Sequence, residues 1–230
     1  MLNNIVVLEM VADGLGDMLD QFVFVGGSVV ELYASSETYQ DVRQTDDVDC
    51  VVEVASLANY YDLEEKLRTL GFYDDMDTEA PICRKLYRGI KVDIMPTDEN
   101  ILQFTNKWYK EGFINAQNHA ISNEKRIKIL TAPYFIAAKL EAFFSPRRKY
   151  NLDVYASHDF EDIIYILDNC ENIVTLIENT DMPVKGYIQQ QFHFLLKNRP
   201  VVYALNGILR DSENEKRVLN LFEHISLLEN

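Results

Sequence analysis

Apolar and polar positions alternate with two different periods along this chain. In the first half the period is that of a strand. Gln21-Phe22-Val23-Phe24-Val25 is a short apolar run suited to a buried strand, and Val48, Cys50, Val52 and Val54 alternate with Asp47, Asp49, Val51 and Glu53. A period of two sends successive side chains to opposite faces of a sheet. Lys91-Val92-Asp93-Ile94-Met95 has the same character, and together with Ile82 to Tyr87 it predicts a hairpin turning at Arg88-Gly89. Helices are expected over 4–19, bent near Gly14-Leu15-Gly16, again near 28–36, and from Leu57 to about Leu70, with Gly71 just past the helix end. Ser35 to Asp46 predicts a polar loop, and Asp74, Asp75, Asp77 and Glu79 a solvated acidic one. Residues 100–120 carry no clear period, and Ile127 to Leu130 fits a last strand.

From Thr131 the period becomes helical. Thr131 can cap, Pro133 suits a first turn, and Phe135, Ala138, Leu140 and Ala142 bury one side. Ser157 suits the cap of a helix running from His158 to about Asp168, and 171–179, 184–198 and 212–229 read as further amphipathic helices. The change of period divides the chain into 1–125 and 126–230. The fold class this predicts is α+β: a mixed β-sheet flanked by helices, followed by a C-terminal helical bundle.

The chemistry is carried by carboxylates on the strands. Asp47 and Asp49 project from one face a few ångströms apart, and two such charges repel unless a cation lies between them. Mg2+ is commonly held by one or two carboxylates plus substrate phosphates. Asp93 stands on another strand. If the two strands are neighbours, three carboxylates converge, enough for two metals about 3.5–4 Å apart acting on a phosphoryl group. Periodicity alone gives the Asp93 strand the hairpin neighbour and not the Asp47 strand. Gly26-Gly27 falls at a strand-to-helix turn where backbone N–H groups can approach a phosphate, and Ser28 adds a hydroxyl. Neither a Walker loop nor a dinucleotide fingerprint is present. Each feature has a plainer reading: a simple turn for Gly26-Gly27, a charged strand edge for Asp47 and Asp49, and a strand terminus before Pro96 for Asp93.

Taken together, Gly26-Gly27-Ser28, then Arg43-x-Thr45-x-Asp47-x-Asp49 entering a Val-rich strand, then Val92-Asp93-Ile94, resemble the DNA polymerase β-like nucleotidyltransferase superfamily. Within it the chain is similar to the AbiEii-like branch, the toxin half of bacterial abortive-infection and toxin–antitoxin systems. Tyr134 to Ala142, Arg147-Arg148-Lys149 and Ser157 to Ile163 extend the resemblance over about the first two thirds of the chain. It implies a nucleotidyltransferase-like sheet and transfer of a nucleoside monophosphate from an NTP to a hydroxyl, with two Mg2+ ions. Gly26, Gly27 and Ser28 would cradle the triphosphate, and the loop would bring Arg43 and Thr45 to the site. Asp47 and Asp49 would hold Mg2+. Asp93 would complete the metal site and help deprotonate the acceptor. Lys139 would neutralise phosphate charge, and Asp159 would orient the acceptor, an RNA end or a protein. A cognate antitoxin is the implied partner. The branch often has Arg before the late aspartate, where this chain has His158. Read without the resemblance, Lys139 is a lysine reaching for water, and Asp162 and Asp159 serve a helix dipole.

Composition narrows the setting. The chain has 230 residues, 47% hydrophobic, and a formal net charge of −15. The size suits one or two domains with a real core, and the acidity sits awkwardly with a nucleic-acid partner. Arg84, Lys85, Arg88 and Lys91, then Arg147, Arg148 and Lys149, then Lys125, Arg126 and Lys128, form local basic groups that are either solvated charges or a steering surface for a polyanion. Cys50, Cys83 and Cys170 suit neither a disulfide framework nor zinc. His119, His158, His193 and His224 show no metal or triad spacing. No apolar run approaches membrane-span length and no basic leader is seen, so a cytosolic chain with no membrane partner is expected. Against the enzyme stand two rivals: a non-catalytic nucleotide-binding module on the same fold, and a protein acting through its helical half while held by an antitoxin.

Overall fold

The computed structural model of the chain describes residues 3–35, 42–197, 199–209 and 211–228. The protein is α+β, with a mixed seven-stranded sheet. The chain divides into two compact units, Met1–Leu32 with Asp41–Thr131, and Tyr33–Gln40 with Ala132–Asn230. The division falls after Thr131 rather than after residue 125, because the last strand, Arg126–Ile129, pairs into the sheet.

The first unit holds the sheet. Its strands are β1 (Phe22–Val25), β2 (Asp47–Val52), β3 (Tyr73–Asp74), β4 (Arg84–Tyr87), β5 (Ile90–Pro96), β6 (Gln117–Ala120) and β7 (Arg126–Ile129). Their spatial order is β3-β4-β5-β2-β1-β7-β6. β2 runs parallel to β5 and antiparallel to β1, and β1 runs parallel to β7. β2 is therefore central, which is why Val48, Cys50, Val51 and Val52 are all buried. The β4–β5 hairpin turns at Arg88-Gly89 as expected, both residues having positive φ (49° and 82°), the combination a tight two-residue hairpin turn demands.

Helix α1 (Asn4–Leu15) buries Leu8, Val11, Ala12 and Leu15, and α2 (Leu57–Thr69) buries Tyr60, Leu63 and Leu67. The Tyr60 hydroxyl donates to the Ile94 carbonyl at 2.8 Å, fastening α2 to β5. Two short helices, α3 (Glu99–Leu102) and α4 (Tyr109–Ile114), lie in the stretch that showed no period. The expected 4–19 helix stops at Leu15, where Gly16 takes φ +52°, and a 3-10 segment follows over Gly16–Gln21. The helix expected over 28–36 is a 3-10 segment, Gly27–Tyr33. Adjacent β-branched Val29 and Val30 are stiff in an α-helix, and a short tight turn serves as a connector. Much of the expected 35–46 loop lies outside the described residues.

Among the described residues the second unit contains six helices: α5 (Ala132–Phe144), α6 (His158–Asn169), α7 (Ile173–Glu178), α8 (Met182–Leu196), α9 (Arg199–Leu209) and α10 (Ser212–Ser226). α5 packs on α6, α7 and α8, and α10 on α8, α9 and α6. Aromatic contacts join these layers: Phe143 to Phe160 at 5.5 Å between centroids, and Phe192 to Phe222 at 4.4 Å. Ser157 caps α6 as expected, its hydroxyl accepting from the Phe160 N–H. α9 was not foreseen, since Pro200 interrupts the pattern; proline is tolerated in a first helical turn. Among the described residues no helix is long and apolar enough to cross a membrane.

Candidate active site

Register brings the expected carboxylates together. Asp49 on β2 is the Cα partner of Asp93 on β5, and on its other side Asp49 faces Val25 of β1. Asp47 lies two residues along β2, on the same face. Both central strands alternate cleanly. Val48, Cys50, Val92 and Ile94 turn to the opposite face and are buried, leaving the aspartates together on theirs.

The next strand adds one of the basic residues read above as either solvated charges or a steering surface. Arg84 on β4 is the Cα partner of Asp93. Its Nε donates to Asp93 Oδ1 at 2.7 Å and its Nη2 to Asp93 Oδ2 at 2.8 Å, a forked pair. The same Nη2 donates to Asp47 Oδ2 at 3.0 Å. Hydrogen bonding to Asp93 raises the pKa of Arg84 further, against the effect of burial. Burial, and then the nearby Asp93 charge, push the Asp47 carboxyl above its ordinary value, while Arg84 and Lys91 pull the other way. Arg84 is thus not a solvated charge, whereas Arg88 and Lys91 of the same expected group are exposed. Lys85, only 2% exposed, pairs with Glu64 of α2 and Asp74 of β3 on the opposite face. Asp74 accordingly belongs to a strand and an ion pair, not to a purely solvated loop.

The glycine turn abuts this face. Gly26 follows the residue paired with Asp49 and has φ +75°. The Asp49 carboxylate fills the space a Cβ at Gly26 would take, so a side chain there is excluded both by conformation and by contact. The Ser28 hydroxyl, 1% exposed, has no hydrogen-bond partner among the described residues. A buried polar atom without a partner is costly, and this one follows directly on Gly26-Gly27. Thr45 Oγ1 donates to the Asp47 carbonyl at 3.0 Å. Buried Asn4 of α1 donates to the Arg43 carbonyl and accepts from the Thr45 N–H, both at 3.2 Å. Asn4 therefore sets the entry to β2, a role no local motif announces.

Lys139 and Asp159 lie in the second unit and are joined there. Lys139 Nζ on α5 is 3.0 Å from Asp159 Oδ1 and 2.6 Å from Asp162 Oδ2, both on α6. Burial pulls the Lys139 pKa down, but the attraction of Asp162 and Asp159 outweighs it and holds the ammonium above its ordinary value. Lys139 does not reach for water, and Asp162, 4% exposed, is an ion-pair partner and not merely a first-turn helix acid. Arg148 Nε approaches Asp159 Oδ2 at 3.5 Å, while Arg147 and Lys149 are exposed. His158, in the place of the expected arginine, contacts Glu161 Oε2 at 2.9 Å.

The donor chemistry of the first unit fits magnesium: hard carboxylate oxygens on rigid neighbouring strands. In the arrangement described, the cation between Asp47 and Asp93 is the Arg84 guanidinium. Among the described residues no three His, Cys, Asp or Glu side chains form a ready-made metal cage. Mg2+ held by one or two carboxylates and completed by substrate phosphates does not require one. No protein-family model matches the sequence, and no curated protein matches it.

Proposed function

We propose that the chain is a Mg2+-dependent nucleotidyltransferase with a nucleotidyltransferase-like sheet and a C-terminal helical bundle, moving a nucleoside monophosphate from an NTP to a hydroxyl on RNA or protein. One observation supports this reading best: Asp49 and Asp93 are direct partners on parallel strands, with Asp47 on the same face and the Gly26 turn against them. In the proposed reaction Gly26, Gly27 and the Ser28 hydroxyl bind the triphosphate, and Arg43 and Thr45 shape the approach to it. Asp93 accepts the proton of the attacking hydroxyl, while the roles of Lys139 toward phosphate charge and of Asp159 toward the acceptor rest on the resemblance alone. Mg2+, held by Asp47, Asp49 and Asp93, would stabilise charge on the phosphoryl oxygens. A toxin role with a cognate antitoxin rests on the AbiEii-like resemblance alone.

The test is pyrophosphate release from each ribonucleoside triphosphate with Mg2+, with and without cellular RNA and protein. Asp47→Asn/Asp49→Asn is expected to lower release by about 100-fold or more, since transition-state charge is no longer offset. Equal release by both proteins would sink the reading. A second reading, a nucleotide-binding module without catalysis, is favoured by one observation: Arg84 already bridges Asp47 and Asp93. That reading expects metal-dependent NTP binding with no pyrophosphate from any acceptor.

A further inference from the structure

We propose that Arg84 is the resident counter-cation of the carboxylate cluster, and that it competes with the divalent ion for Asp47. This rests on the metal-dependent reading above. Asp47, Asp49 and Asp93 share one face of two neighbouring strands, and like charges so close repel one another unless a positive charge lies among them. The hairpin turn supplies it. With Tyr87 opposite Ile90, the register steps outward to put Arg84 opposite Asp93, so the guanidinium is delivered by covalent geometry and not by a mobile loop.

The two contacts of Arg84 are unequal. Asp93 is held by a fork through Nε and Nη2, and its side chain is 11% exposed. Asp47 is held through one shared nitrogen at 3.0 Å, and its side chain is 35% exposed. The single contact to the more exposed carboxylate is the weaker, so Asp47 is the first group to exchange guanidinium for metal. Arg84 is on this view a positioning residue. It keeps the carboxylates gathered when no metal is bound, and it opposes a divalent ion arriving without the additional oxygen ligands a triphosphate brings.

The experiment is Mn2+ binding followed by the electron paramagnetic resonance signal of free Mn2+, without nucleotide, for wild type, Arg84→Gln and Arg84→Lys. Removing a full positive charge at contact distance in a partly buried site is expected to tighten Mn2+ binding by roughly tenfold or more in Arg84→Gln. Arg84→Lys, which keeps the charge, should stay near wild type. In EDTA the Arg84→Gln protein should melt several degrees lower than wild type and recover when Mn2+ is added, a reciprocity that a purely structural arginine would not produce. Mn2+ binding by Arg84→Gln no tighter than wild type overturns the proposal and leaves the enzyme reading standing. Failure of wild type and Arg84→Gln alike to bind Mn2+ even with NTP overturns both. If Arg84→Gln does not fold, the Arg84 Nη–H signal in the NMR spectrum of the wild-type protein decides. It should move on adding Mg2+, and an unchanged signal at saturating Mg2+ rejects the idea.

Discussion

Gly26 and Asp49 occupy complementary space. A Cβ built on Gly26 would lie 2.8 Å from Asp49 Cγ and closer still to Oδ2, and Gly26 holds φ at +75°. Gly26→Ala therefore combines a left-handed alanine, costing roughly 1–2 kcal/mol, with displacement of a carboxylate central to the site. The expected outcome is a modest fall in melting temperature and a loss of pyrophosphate release of about 100-fold, since misplacement by 1 Å has that order of effect. Steady-state kinetics beside a thermal melt check it. A variant that melts lower but keeps full turnover would mean that the position of Asp49 is not catalytically important.

Asp47 offers a test through pH. Its carboxyl is pushed above its ordinary value, first by burial and then by Asp93, with Arg84 and Lys91 opposing. A carboxyl with a raised folded-state pKa favours folding while it is protonated. That stability is fully present below the unfolded value of about 3.8 and is lost as pH rises through the folded value. Asn cannot ionise and keeps an oxygen acceptor for Arg84. Asp47→Asn should thus match wild type in stability near pH 3 and gain on it toward pH 7, by no more than about 1 kcal/mol for so exposed a group. Melting curves across that range check it. A carboxylate whose loss stabilises the fold while abolishing turnover is held there for function.

Much of this face was legible in the sequence, and the reasons for the gaps are physical. β2 was recognisable because it alternates Asp47-Val48-Asp49-Cys50, and the hairpin because Arg88-Gly89 can adopt two positive φ values. The adjacency of β2 and β5 was not legible from periodicity, because parallel pairing between distant segments leaves no local mark. Arg84 opposite Asp93 was legible in principle: a two-residue turn at Arg88-Gly89 fixes the register. It was missed because the cation was grouped with its neighbours in sequence, although strand alternation sends Arg84 and Lys85 to opposite faces. β6 was missed for a different reason. Gln117-Asn118-His119-Ala120 is a mostly exposed edge strand with no apolar side to display.

Lys139 separates two roles that the sequence left open. It is nearly buried between Asp159 and Asp162, and removing one partner of a buried ion cluster typically costs about 3–5 kcal/mol. Lys139→Met should destabilise the second unit by that order. Because attraction to Asp162 and Asp159 holds the folded-state pKa above the ordinary lysine value of 10.5, the wild-type advantage should be complete below that pH and fade as pH rises through the folded value. Adding Asp159→Asn and Asp162→Asn to Lys139→Met should recover most of the stability, as the uncompensated charges are gone. Urea unfolding of the single and triple variants gives the stability, and pyrophosphate release gives the function. Restored stability with activity still absent supports a role in the reaction, whereas restored activity would make the cluster structural.

Two of the cysteines report on whether the sheet that carries the carboxylates is as closed as its register implies. Burial, then Asp93 and Asp49, push the Cys83 thiol up to about 12, and burial pushes Cys50 well above its ordinary value. Cys170, half-buried in the second unit, is raised to about 11, chiefly by burial. The thiolate is the reactive form, so a rise from 9 to about 11 lowers its population near neutral pH by roughly 100-fold. Iodoacetamide at pH 8 should therefore label Cys170 slowly, with a rate climbing steeply as pH rises, and should leave Cys50 and Cys83 unmodified until urea unfolds the chain. Peptide mass spectrometry of the labelled protein distinguishes the three. Native labelling of Cys83 ahead of Cys170 would mean that the entry to β4 opens readily. The register that holds Arg84 between Asp47 and Asp93 would then be only one of the arrangements this strand adopts.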